Sequence, residues 1–208
     1  MNITSDRFSD LPENERPHAA TLRTNLESLY GYVFRFDDAL ALFDYCLDKI
    51  EPVLSDDMRN FLAWQHVACR DASVTIWHFA NAIKHARQCL ARCPSLSACA
   101  DHDEIKRLEK RFGGDFPHHK QLRHVAGHLS DMLASETDQA KHFIAADERN
   151  RSRSRNTFQQ ISGREYAAVF EKQRVVLEMS QTTRSNLARW RDEVIAAYGA
   201  ILEAYRAQ

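Results

Sequence analysis

The chain has 208 residues, 44% of them hydrophobic and 27% charged, proportions that suit a soluble globular protein able to bury a sizeable core. Six glycines and five prolines are too few for the many tight turns of an all-β protein. The formal net charge of −1 supplies no global field for nucleic acid or an anionic membrane, so any RNA contact has to come from a local patch.

No run of eighteen apolar residues occurs, and the opening MNITSDRFSDLPENERP lacks the apolar centre of a signal peptide, which predicts a cytoplasmic protein with no membrane partner. Five cysteines, an odd number with no C-x-x-C pair, give neither a disulfide framework nor a zinc-knuckle spacing and read as buried free thiols.

Residues 1–12 are polar and are expected to form a flexible N-terminal segment. From Glu13 a helical period begins, with Leu22, Leu26, Leu29, Val33, Phe36, Leu40, Phe43 and Leu47 at three- and four-residue steps up to Pro52. Ser55-Asp56-Asp57 then offers a cap and first-turn acids to a second long helix, expected to reach Cys93 before Pro94 stops it. Its apolar stripe is Phe61, Trp64, Ala68, Ala72, Ile76, Phe79, Ile83 and Leu90.

Two shorter helices follow. One opens at Asp101-His102-Asp103-Glu104 and is expected to end at Gly113-Gly114. The next starts near Pro117 and turns Leu122, Val125, Leu129 and Leu133 inward. The runs TFQQIS, YAAVFE and QRVVLEM read as a small β meander with turns at Gly163 and at Lys172-Gln173. Ser180 or Thr182 caps a final helix that buries Leu187, Trp190, Val194, Ile195, Tyr198, Ile201 and Leu202. The expected fold is mainly α, an up-and-down bundle of about four helices with the meander inserted before the last. Residues 13–208 are read as one domain, with the loop and meander insertion at about 140–180.

The concentrated chemistry lies in FPHHKQLRHVAGHLSD, residues 116–131, which holds four of the ten histidines and Arg123. His124 and His128, four apart, share a helix face, as two imidazoles would on one metal ion, with His78 or His85 as the third ligand. A second chemistry needs no metal. In RNA scission the 2′-hydroxyl attacks its own phosphate, a histidine moves the proton, and an arginine fork holds the phosphate as charge builds. Arg123 and His128 suit those roles, but five residues on an ideal helix separate them by about 140° around the axis. The long arginine, a helix end near Gly127, or a second copy of the motif across a two-fold interface would bring them together. A third reading makes these residues a hydrated polar helix face.

The stretch L-R-H-V-A-G-H, residues 122–128, resembles the signature of the HEPN superfamily: an arginine, a polar residue that is commonly Asn, Asp or His, three more residues, and a histidine. Arg123, His124 and His128 occupy those positions. The resemblance covers roughly residues 15–205 and implies a helical bundle that dimerises through its paired motifs. It also implies a metal-independent endoribonuclease of a toxin-antitoxin or defence system, often beside a nucleotidyltransferase-like antitoxin. Arg123 would clamp the phosphate, His128 would move the proton and His124 would support them, with no cofactor. The meander departs from the minimal domain. A non-catalytic interaction module of the same superfamily and a metal-binding bundle using His124, His128 and His78 are the alternatives.

Two weaker signals remain. Arg149, Arg151, Arg153 and Arg155 alternate with polar residues, as in an arm that tracks an RNA backbone, although charged runs are also the usual content of solvated loops. Asn81 shares a face of the second helix with His78 and His85 and would bind phosphate or orient a histidine if that face met Arg123. Trp64, Trp77 and Trp190 read as core or interface anchors rather than base-stacking platforms.

Overall fold

A computed structural model describes residues 10–49, 56–132 and 159–204, together with Phe8, Ser135 and Thr137. Among these residues the chain forms six helices: α1 (Arg16–Leu47), α2 (Asp56–Leu90), α3 (Pro94–Ser97), α4 (His102–Asp115), α5 (His119–Met132) and, after the strands β1 (Gln159–Ser162), β2 (Glu165–Phe170) and β3 (Gln173–Glu178), α6 (Gln181–Ala204). The fold is mainly α, a helical bundle with a small antiparallel β1-β2-β3 meander before the last helix, as the sequence predicts. No helix among the described residues is long and apolar enough to cross a membrane.

The chain divides into two compact units. The first comprises the described parts of Met1–Phe34, His78–Phe116 and Ser185–Gln208. Its core joins Leu22, Leu26, Leu29, Phe79, Leu108, Phe112, Leu187 and Trp190, all buried. The Phe112 ring stacks on Phe79 at 5.3 Å between centroids and meets Trp190 edge-on at 5.7 Å. Burying an indole strands its N–H unless a partner is supplied; Trp190 Nε1 donates to Asp115 Oδ2 at 2.9 Å. Asp101 caps α4 by accepting from the Glu104 amide at 2.9 Å.

The helix α4 does not stop at Gly113-Gly114 but runs to Asp115, with Phe116 as its cap. Neither glycine adopts a positive φ, so neither makes the left-handed turn by which a glycine ends a helix. Pro94 likewise starts the single turn α3 as its first residue instead of only closing α2.

The second unit comprises the described parts of Arg35–Trp77 and Pro117–Arg184. The second half of the α1 stripe and the first half of the α2 stripe supply its buried Phe36, Leu40, Phe43, Ala68, Ala72 and Ile76. Phe61 is half-buried and Trp64 is 47% exposed, so the α2 stripe begins at Ala68 rather than at its first turn. The helix α5 packs on β2 and β3, and its Leu122, Val125, Ala126 and Met132 are buried. Leu133 and Ser55 lie outside the described residues, as does the Leu129 side chain.

In the meander Ile161 pairs with Tyr166 and Ala167 with Val176, which turns Tyr166, Ala168, Val175 and Leu177 into the core. Gly163 takes φ +58° in the first turn, while the second turn is Glu171-Lys172, one residue earlier than predicted, with φ 48° and 63°. Ser180 caps α6, its Oγ accepting from the Thr183 amide at 3.2 Å. Fork-to-fork pairing of Arg184 with Asp37 at 2.8–3.1 Å fastens the start of α6 to α1. Cys46, Cys69 and Cys93 are buried and Cys89 half-buried, whereas Cys99 is exposed, against the expectation of buried thiols throughout.

Candidate functional site

The Arg123–His128 pair lies on α5 in the second unit. At His128 the backbone leaves helical geometry, with φ −129° and ψ 27°, so α5 is two helical pieces joined at a bend. Despite the separation expected around a straight helix, Arg123 Nη1 lies 2.9 Å from His128 Nε2. The bend sits one residue beyond Gly127, and the two side chains meet within one copy of the chain. Arginine has only N–H donors, so Nε2 is the acceptor and the imidazole in this contact is neutral, with its proton on Nδ1.

The guanidinium of Arg123 is also fixed from below. Its Cζ stands 4.8 Å from the centroid of the Trp77 ring on α2, within range of the attraction between a cation and an indole face. The His124 ring lies 5.0 Å from that of His128, tilted by 35°. On its other side it meets the edge of Phe170, the last residue of β2, at 4.9 Å with the rings at 67°. Arg123, His124, His128 and Trp77 are all half-buried, shielded enough to be held and open enough to be reached.

The carbonyls just before the bend take side-chain donors. Ala126 O accepts from Arg70 Nε at 3.0 Å and Nη2 at 2.6 Å, and Val125 O accepts from Gln159 Nε2 at 3.4 Å. One turn before Arg70 on α2, half-buried His66 meets the buried Tyr166 ring edge-on at 6.4 Å. Burial, and then the charge of Arg70, hold the His66 pKa below the ordinary histidine value. Burial pushes the thiol of neighbouring Cys69 up to about 12, which leaves it no nucleophilic role at neutral pH.

The structure thus brings together Arg123, His124 and His128. His78 and Asn81 belong to the first unit, where the His78 ring stacks on Tyr32 at 5.8 Å. Among the described residues no group of three His, Cys, Asp or Glu side chains is placed to hold a metal ion. Arg149, Arg151, Arg153 and Arg155 lie outside the described residues. Sequence reasoning missed three supports of the site: Trp77, read as an anchor only, Arg70 and Phe170. Arg70 and Trp77, seven residues apart, share a face of α2, but nothing in the sequence singles out one arginine among 28 basic residues.

Comparison of the chain with protein-family models, with curated proteins and with solved structures returns no match.

Proposed function

We propose that this is an HEPN-like RNA-binding protein that cleaves RNA without metal, in the setting of a toxin-antitoxin or defence system. The observation that carries the reading is the 2.9 Å contact between Arg123 and His128, which joins a phosphate-binding fork to a proton-transfer group. In the resting contact an Arg123 N–H occupies the Nε2 lone pair that a base would use. A phosphate offers the guanidinium a charged, two-oxygen partner that outcompetes a neutral imidazole, and its arrival would release Nε2 beside the RNA.

His128 then takes the proton of the 2′-hydroxyl as its oxygen attacks the adjacent phosphorus. The bond from phosphorus to the 5′-oxygen breaks, and that oxygen takes up a proton. The products are a 2′,3′-cyclic phosphate and a 5′-hydroxyl. Arg123 stabilises the oxygens on which charge accumulates, while His124, held between His128 and Phe170, keeps the imidazole oriented. One histidine serves as base; the leaving oxygen needs an acid, which the second copy of a homodimer would supply. A nucleotidyltransferase-like antitoxin is the partner that the resemblance adds.

The test is to incubate the purified protein with RNA in excess EDTA and identify the ends produced. Cyclic phosphate and 5′-hydroxyl ends are expected, with no cleavage of RNA methylated at its 2′-oxygens. RNA that is bound and left intact would instead make the protein a non-catalytic module. Cleavage that appears only with added metal would turn His124 and His128 into ligands.

A further inference from the structure

We infer that Arg70 is a positioning residue: from α2 it holds α5 bent at His128, and the bend gives Arg123 its grip on the imidazole. On a straight helix the two side chains would point about 140° apart. A bend has an identifiable cause, commonly a group that inserts itself among the backbone hydrogen bonds. In a straight α5 the Ala126 carbonyl would accept from the amide four residues on. Two residues before the bend that carbonyl accepts the Arg70 fork, through Nε at 3.0 Å and Nη2 at 2.6 Å.

Gln159 acts on the preceding carbonyl, but it is a neutral amide at 3.4 Å, near the limit of a hydrogen bond, whereas a charged fork at shorter range is the stronger hold. Arg70 and Trp77 share a face of α2, so one helix face both supports the Arg123 guanidinium from below and keeps the bend open.

The structural part of this inference stands on the bend alone; its consequence for catalysis rests on the RNA reading above. The experiment keeps the two apart. Full-length protein labelled with 15N at histidine would be compared, by long-range 1H–15N spectra, as wild type, Arg70→Met, Arg70→Lys and Arg123→Met. In the wild type the His128 signals are expected to show Nδ1 protonated and Nε2 as acceptor. Arg70→Met should shift them to the pattern of Arg123→Met, and Arg70→Lys, with a single-point donor, should lie between. EDTA-resistant cleavage should fall at least tenfold in Arg70→Met, in step with the spectra. A His128 pattern unchanged in Arg70→Met would overturn the inference. Should that variant fail to fold, an Arg70→Lys spectrum identical to wild type would overturn it equally. A wild type that cuts no RNA would sink the RNA reading and leave the spectra to decide on Arg70.

Discussion

Arg123 is held from two directions, by the indole of Trp77 beneath its plane and by His128 at its edge. Because the guanidinium only donates, its position also decides which imidazole nitrogen of His128 carries the proton. A lysine at position 123 would keep the charge but lose both the planar stack and the fork. His66 gives a separate prediction at this scale. Its pKa is depressed by burial first and by Arg70 second, so the folded protein binds that proton less readily than the unfolded chain. Stability is then complete above the ordinary histidine pKa of 6.5 and declines as pH falls below it. The urea midpoint should drop between about pH 7.5 and about pH 5.5, and His66→Gln should show a smaller drop; an equal drop in the variant would place the cause in other histidines. Arg123, His124 and His128 are legible in the sequence by residue type and spacing. Arg70 and Phe170 are not, because their roles arise from contacts across 56 and 46 residues of chain, to Ala126 and His124.

Two elements shape the site: the broken helix α5 and the meander against it. A period of apolar residues records which side of a helix is buried, and it locates α5 well. It carries no record of a bend, since Leu122, Val125 and Ala126 are buried on one side whether or not the helix breaks at His128. The end of α4 escapes sequence reading for a related reason: glycine permits a left-handed cap without imposing one, and Gly113 and Gly114 simply continue the helix. In the meander, Glu171 and Lys172 both take positive φ, the backbone of the two-residue turn that fits the twist of a hairpin. Side chains with a Cβ lose about 1 kcal/mol in that region. Lys172→Gly should therefore raise the thermal midpoint by about 2 °C, after allowing for the greater freedom of glycine in the unfolded chain. A midpoint that stays put or falls would mean that the Lys172 side chain contributes more than its backbone costs.

At the scale of the molecule, composition and periodicity are enough for the helical class and for the meander before the last helix. They are silent on the division into two units, since the apolar periods of α1 and α2 run on in the sequence past Phe34 and Trp77, where it falls. The net charge of −1 supplies no field of the whole protein toward RNA, so the RNA binding proposed above would have to be local, at Arg123 and its neighbours. Homodimerisation has two grounds in the sequence, the resemblance and the need to bring Arg123 to His128. The contact of Arg123 with His128 within one chain removes the second, and in the proposed reaction a partner copy would supply only the acid for the leaving oxygen. The central claim, that the arginine-histidine pair cuts RNA without metal, meets its most direct test in EDTA, with wild type, Arg123→Ala, His128→Ala and the double variant compared on one RNA. A loss of about 100-fold or more in each single variant, with little further loss in the double, is the result expected of two groups acting as one unit. Cleavage that survives either substitution unchanged would contradict it.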